Sequence, residues 1–517
     1  MKKHPVLVPT ALLALLQLLT AGPAFAKTIV IYHTSDAHGW YSPVKTASGP
    51  VGGYAALSAL AKKDPAPHIL LDSGDWFQGT PEGNLTKGMA SITLMNALGY
   101  AASTVGNHDF DYGQENLKRL IAAAKFPVLG ANVYNNATGS RIPYLKPYAM
   151  VEVDGVKLGI VGLLTEETAV SVLTKYIPDL IFMDKAAEAA ALVPELKSKG
   201  AHAVIVLTHS GFPRNFAGNP APDDGNIAIA RKAGGVALIL GGHSHNKLPS
   251  GYRDPVSGTL FAEGGPSLNS VSRVELEFSD ADGKFVKAES RVIPLEISTT
   301  GSDEAVEQLI RPITAKISEE MDRVIGFLPF SLTRVHARYQ DSTMANWLTD
   351  LLREKTGASA AFMNVPGIRA DIEQGSVTVR QVYQVMPFDN TVATLEITGS
   401  QMTELMRRNI SNTGCLMEVS GVEAVYSLDA QGKPADLAIT MGGKPIDPQA
   451  RYKIATTDFM AGGGLGGEIF AEGINRQDTD MIVRKLMLDR IEKGGPQAKP
   501  RTGRIKIRPA DKAPESK

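Results

Sequence analysis

The sequence predicts an α/β (α+β) protein: a larger domain over 27–297, a linker helix over 298–325 and a smaller second α/β domain over 326–508. Three observations carry the prediction. Short apolar runs alternate with helix-like stretches from Lys27 to about Leu295, an amphipathic segment follows Thr300, and a second alternating region runs from Ile325 to about Arg508.

The chain opens on a separate object. Lys2 and Lys3, an apolar run from Val6 to about Ala21, and Ala24-Phe25-Ala26 form the pattern of a cleaved secretory signal over 1–26. The run is shorter than the ~20 apolar residues of a membrane span, and Pro9, Gln17 and Thr20 interrupt it. A periplasmic or secreted protein with no membrane insertion after cleavage is therefore expected. The 517 residues, 43% hydrophobic and 21% charged, suffice for two or three buried cores. With 53 Lys and Arg against 54 Asp and Glu, there is no electrostatic case for a nucleic-acid polymer or an anionic membrane as partner. A small bound ligand is the expected partner, and a monomer the expected state. The lone cysteine, Cys415, rules out an internal disulfide, so packing or metal must hold the chain.

Compact strands are expected at Thr28–Tyr32, His68–Leu71, Lys157–Leu163, Ala203–Leu207 and Ala237–Leu240. Between Phe261 and Phe278, Val271, Val274, Leu276 and Phe278 alternate with polar residues, as in an antiparallel strand with one wet face, which makes the sheet mixed. Val306, Leu309, Ile310, Ile313, Ile317, Met321 and Val324 recur at spacings of three and four on one helical face, which Pro312 is expected to kink or split. The tail 509–517 reads as frayed.

Five polar clusters follow strands or strand-like runs: Asp36 and His38; Asp72 and Asp75; Asn107, His108, Asp109 and Asp111; His209; and His243 with His245. Ligands bind at that edge of α/β sheets, where loops converge on rigid strands. Of ten histidines in the chain, five fall in these loops, mixed with carboxylates and an Asn and with no thiolate. That donor set suits Mn, Zn, Co or Fe, and it exceeds what one ion needs. Two divalent ions about 3.5–4 Å apart, sharing one carboxylate, would use them all. Each cluster alone is weak, since a lone D-x-H is more often a capped turn; five in order carry the argument. Asp72 and Asp109 are expected to be turn residues binding backbone N–H groups, and His33, His68, His202 and His336 to be outside the site.

These residues resemble the 5′-nucleotidase family, a calcineurin-like metallophosphoesterase domain joined by a helix to a 5′-nucleotidase C-terminal domain. The resemblance runs over nearly the whole chain beyond the signal. It implies a four-layer metallophosphoesterase β-sandwich flanked by helices, followed by a smaller substrate-binding domain. It also implies that Asp36, His38, Asp75 and His245 hold one metal, while Asp75, Asn107, His209 and His243 hold the other. His108 and Asp111 would form the catalytic dyad. Arg338, Asn364 and Arg369 would clamp the phosphate and sugar, where forked guanidinium donors match phosphate oxygens. Phe459 would stack on a base, while Leu416 stands where the family has a second aromatic ring and Leu465 where it has a ribose-binding Asp. The expected activity is metal-dependent hydrolysis of nucleotides, of the 5′-nucleotidase, UDP-sugar hydrolase or 2′,3′-cyclic phosphodiesterase type. The alternatives are a thiosulfohydrolase acting on a sulfur–sulfur bond at the same metal site, and a non-catalytic binding protein.

Overall fold

A computed structural model describes residues 26–508, apart from 213–215, 217, 219, 221–223, 281, 335–340, 412–416, 430–433 and 465. The expected signal over 1–26, apart from Ala26, and the tail 509–517 lie outside the described residues, as do His336, Arg338, Cys415, Leu416 and Leu465.

Two six-stranded mixed sheets build the first domain. The strands of the first are β1 (Ala26–Thr34), β2 (His68–Asp72), β3 (Tyr100–Thr104), β4 (Val128–Leu129), β11 (Ser270–Ser279) and β12 (Phe285–Pro294), in the order β12-β11-β1-β2-β3-β4. The second contains β5 (Tyr148–Val153), β6 (Val156–Leu164), β7 (Ala203–His209), β8 (Leu238–Gly241), β9 (Tyr252–Arg253) and β10 (Leu260–Ala262), ordered β9-β10-β8-β7-β6-β5. In each sheet four parallel strands form the body, as in Val30 opposite His68 and Ile205 opposite Leu238. Antiparallel strands close both edges of the second sheet and one edge of the first, whose other edge is the parallel β4.

Period-two patterning decides how the sheets stack. Ile29, Ile31, Ile69 and Leu71 of the first sheet pack with Leu158, Ile160, Ile205 and Leu207 of the second in one buried cluster. The intervening residues point outward. Val30, Tyr32 and Leu70 meet the helices α1 (Tyr54–Lys63), α2 (Met89–Leu98) and α3 (Gly113–Ala123), while Val161, Val204 and Val206 meet α4 (Lys185–Ser198) and α5 (Gly225–Ala233). The result is the four-layer α/β/β/α sandwich. The expected antiparallel strand begins at Ser270 rather than near Phe261, because residues 260–262 instead pair parallel with β8.

The linker differs from expectation. Residues Ile297–Thr300 form a separate short turn of helix, and α6 runs unbroken from Glu304 to Met321. Asp303 caps it, accepting from the Ala305 N–H at 3.1 Å, and ties it to α1 through Lys62 at 2.6 Å. Val324 opens the strand Val324–Leu328 and is 59% exposed, so it is not on the helical face. Pro312 does not split the helix, because it and Gln308, whose carbonyl loses its partner, both lie on the solvent side.

The second domain is built on β13 (Ala360–Asn364), β14 (Thr391–Thr398), β15 (Met417–Ser420), β16 (Arg451–Thr457) and β17 (Ile474–Ile482), in the order β15-β13-β16-β14-β17. The helices α7 (Thr343–Thr356) and α8 (Gly399–Ser411) contribute to separate buried clusters that take alternate residues of this sheet, such as Ala361 and Ala360. Because β13 and β16 are parallel neighbours, their carboxyl ends lie side by side.

Replacing Pro312 with Ala should restore a helical hydrogen bond and stabilise the protein by about 1–3 kcal/mol, the loss of proline's unfolded-state restriction offsetting part of the gain. A thermal midpoint that falls instead would show that the proline packs against something essential.

Candidate metal and phosphoester site

Carboxyl ends of five strands converge at one edge of the sandwich. Asp36 and His38 follow β1, Asp75 follows β2, Asn107 and His108 follow β3, and His243 and His245 follow β8, while His209 is itself the last residue of β7. All seven expected metal ligands meet there, together with His108 and Asp111. Five of the seven, Asp36, His38, Asp75, His243 and His245, adopt positive φ between 49° and 71°. Non-glycine residues rarely hold that conformation, and it persists where surrounding structure enforces it, commonly at functional sites.

The enforcing contacts are specific. Asp109 accepts from the backbone N–H groups of Gly106 (2.7 Å), Asp75 (3.0 Å) and Trp76 (3.0 Å), clamping the second loop to the third. Asp72 accepts from the Gly74 N–H, the Trp76 indole and the hydroxyls of Ser103 and Thr34. Both carry the structural role expected of them. Gly106 allows the close approach, since a Cβ there would lie 2.1 Å from Asp75 Oδ1.

Hydrogen bonds also fix the imidazoles. A carbonyl oxygen only accepts, so His38 Nδ1 must donate to the Gln78 carbonyl (2.6 Å) and His209 Nδ1 to that of Ser73 (2.6 Å). In the neutral rings, each Nε2 then offers a lone pair to the centre. His38 Nε2 lies 3.0 Å from His245 Nε2 and 3.8 Å from Asp75 Oδ2, and His245 Nε2 is 3.5 Å from Asp36 Oδ1. His209 Nε2 lies 3.2 Å from Asp75 Oδ2 and 3.1 Å from Asn107 Oδ1, which is 3.0 Å from His243 Nδ1. Acceptors facing acceptors in a buried space repel unless a cation sits among them, so this donor set fits divalent metal. Asp36 lies within ligand reach of both groups, with His38 and His245 on one side and Asp75 and His209 on the other, and Asp75 Oδ2 approaches both His209 and, at 3.8 Å, His38.

Electrostatics agree. Burial opposes charge on His209, yet Asp75 and Asp36 outweigh it and push its pKa up to about 10. Burial drives His38 down to about 3, although Asp75 partly resists. Burial works to raise the Asp75 pKa, but His209 and His108 hold its carboxyl well below the ordinary range. Outside the cluster, His108 Nδ1 donates to Asp111 Oδ2 (2.8 Å), which turns Nε2 away, and its backbone N–H donates to Asp75 Oδ1 (2.8 Å). Burial disfavours a charged His108, but Asp111 and Asp75 more than compensate and raise its pKa.

A cleft of about 920 Å³ spans these groups and the second domain. Asn364 at the end of β13, Arg369 beyond it and Phe459 after β16 all line the cleft, opposite His108 and His245. Gly464 lies against the Phe459 ring, where a Cβ would come within 2.6 Å. Asp341, just before α7, and Asn346 within it serve the domain's own framework, bonding each other at 2.7 Å and the backbone at 501–504.

Sequence reasoning missed four groups. Glu167 accepts from His243 Nε2 (3.2 Å), the arrangement that orients a metal-binding imidazole. Gln78 supports His38, and Phe388 lies 5.3 Å, centroid to centroid, from the His108 ring. Tyr176 adds an aromatic wall from the first domain. Gln78 lies three residues beyond Asp75 of the second cluster, whereas Phe388, Glu167 and Tyr176 lie outside the five clusters.

Fold and site together define a metallophosphoesterase. The calcineurin-like phosphoesterase family matches residues 29–247, and the 5′-nucleotidase C-terminal domain matches 316–472. The chain therefore joins these two domains in the manner of the 5′-nucleotidase family, and it is a phosphoric ester hydrolase. The protein UshA of Salmonella pullorum is 28% identical over 92% of this chain and 94% of its own. A 5′-nucleotidase of Vibrio cholerae is 26% identical over 90% and 91%. The crystal structure of a 5′-nucleotidase precursor from Thermus thermophilus superposes with a TM-score of 0.82 at 28% identity, covering 93% of this chain and 99% of that one. A sulfate thiohydrolase, SoxB, from Thermus thermophilus shares the fold with a TM-score of 0.75 at 18% identity.

In chelator-treated protein, a proton on His209 takes the place of a cation. Its folded pKa, about 10, lies above the ordinary 6.5, so the stability it contributes is full below pH 6.5 and is lost as pH rises through about 10. Thermal midpoints across that window should fall without metal, and the fall should flatten in His209→Gln. Asp109→Ala, which removes no ligand, should weaken Mn²⁺ binding by about 10–100-fold in calorimetry; unchanged affinity would sink the clamp role.

Proposed function

We propose that this protein is an exported phosphoesterase that hydrolyses nucleotides, of the 5′-nucleotidase, UDP-sugar hydrolase or 2′,3′-cyclic phosphodiesterase type, using two divalent ions drawn from Mn, Zn, Co or Fe. The single observation that carries the reading is one cleft, about 920 Å³, in which the metal-fitting cluster faces Asn364, Arg369 and Phe459. That volume suits a ligand of nucleotide size. Export rests on the signal pattern over 1–26, and among the described residues no helix is long and apolar enough to cross a membrane.

Asp36, His38, Asp75 and His245 would hold one ion, and Asp75, Asn107, His209 and His243 the other. When bound, such ions neutralise phosphoryl oxygens and lower the pKa of water, so no Ser or Cys nucleophile is needed. The remaining work falls to the chain's own side chains. Arg369 and Asn364, with Arg338, bind the phosphate and sugar end and fix it for in-line attack. His108, held at Nδ1 by Asp111, presents Nε2 to the departing oxygen and donates a proton as negative charge develops there. The Phe459 ring stacks on the base.

Mature protein with Mn²⁺, and again after chelation, would be assayed on AMP, a UDP-sugar, a 2′,3′-cyclic nucleotide, an aryl phosphate and a thiosulfonate. Metal-dependent release favouring a nucleotide is expected, and His108→Ala should lower kcat by about 10²–10⁴-fold. Equal release from the aryl phosphate would remove the nucleotide assignment, and turnover of the thiosulfonate alone would replace it with sulfur–sulfur hydrolysis.

A further inference from the structure

We propose that Phe388 is a positioning residue for phosphate ester hydrolysis: carried by the second domain, its ring fixes His108 and Arg369 relative to each other around the scissile phosphate. The inference rests on the proposed roles of His108 and Arg369 and adds a residue through which the two domains act as one site.

The Phe388 ring centroid is 5.3 Å from that of His108 at an interplanar angle of 32°, and the Arg369 guanidinium carbon is 5.6 Å from the same centroid. One aromatic ring thus touches the proton donor of the first domain and the phosphate clamp of the second. Its negative faces suit a guanidinium and an imidazole capable of carrying charge. Asp111 holds one edge of His108 through Nδ1 at 2.8 Å, and the His38 ring lies 5.8 Å from it at a tilt of 60°. The more nearly parallel Phe388 ring adds a flat wall from the second domain.

The ring can act this way because its backbone is held on both sides. The Pro387 carbonyl accepts from the amides of Gln78 (3.2 Å) and Asn84 (2.6 Å), both in the first domain. Arg484, 7% exposed, donates to the carbonyls of Met386 (3.0 Å) and Phe388 (3.1 Å) and pairs with Asp389. Gln78 is also the residue whose carbonyl accepts the hydrogen bond from His38 Nδ1. The second domain's loop is therefore seated on the segment that orients the metal cluster. Phe388 itself is only partly buried and lines the cleft, as a ring that faces substrate should.

The test is steady-state kinetics of the Mn²⁺-loaded full chain on an aryl phosphate. Phe388→Ala should lower kcat about tenfold or more and raise KM, and Phe388→Leu, which keeps bulk without the ring, should behave alike. Phe388→Tyr should restore both to within about twofold. Because Phe388 acts through its two contacts, Phe388→Ala should raise KM no further in an Arg369→Ala background and lower kcat no further in a His108→Ala background. A leucine variant equal to the parent, or effects that multiply in the double variants, would overturn the proposal. The single variants His108→Ala and Arg369→Ala test the underlying roles separately: if both are silent those roles fall and the proposal with them, whereas if both are impaired and Phe388→Ala is not, the proposal alone falls. Inorganic phosphate binding by calorimetry gives a readout without turnover, and Phe388→Ala should weaken it.

Discussion

A buried carboxylate requires compensating positive charge, and the first domain is arranged around that requirement at Asp75. Its Oδ1 is satisfied by the His108 backbone N–H, while Oδ2 faces His209 and His38, whose Nδ1 protons are already committed to carbonyls. Nothing in that arrangement is locally comfortable. Five cluster residues hold left-handed backbone conformations, and Asp109 spends its carboxylate on three backbone N–H groups of the loops that carry Asp75 and His108. The sandwich core supplies the rigidity that keeps such loops in place. Its inner layer of Ile and Leu side chains fixes the register of the strands from which every loop departs.

The second domain uses the same geometric device with a different purpose. Asn364 and Phe459 leave adjacent parallel strands, and the residues Pro387–Asn390 enter the sheet through β14, whose Val392 pairs with Thr457 at the same edge. Side chains that are distant in sequence thus share one rim. This rim closes over the metal-fitting cluster and is bonded to it through Gln78 and Asn84. Lys175 and Asp458 add a 3.7 Å ion pair across the cleft, screened by solvent on the lysine side and contributing little by itself.

Much of this was legible in the sequence because strands and their carboxyl-end clusters are local. Thr28–Tyr32 followed by Asp36 and His38 states both the element and the donor it carries, and Val274, Leu276 and Phe278 mark the face buried between the sheets, whereas Val271 packs on the opposite face and residues 270–274 are buried on both. What escaped was relational. Whether Pro312 breaks a helix depends on which side faces water, and the helical periodicity through Val324 does not reveal that this residue opens a strand. Glu167 becomes a partner of His243 only because β6 and β8 flank β7. The contact of Phe388 with His108 spans 280 residues of chain and is set by the docking of one domain on another. Arg338, Leu416 and Leu465 fall outside the described residues, so their expected roles stay with the sequence.

The helix α6 has a consequence for dissecting the molecule. Its Val306 and Ile310 belong to the outer core of the first domain, Ile317 and Met321 to the core of the second, and Ile313 packs against both. It is shared hydrophobic interior rather than a tether. A fragment cut just before Glu304 would bare an apolar groove against α1, and one begun at the same point would carry an uncovered helix face ahead of the second domain. Neither half has a clean boundary at that point, so during synthesis the outer core of the first domain is completed only when Val306 and Ile310 have followed the sandwich out.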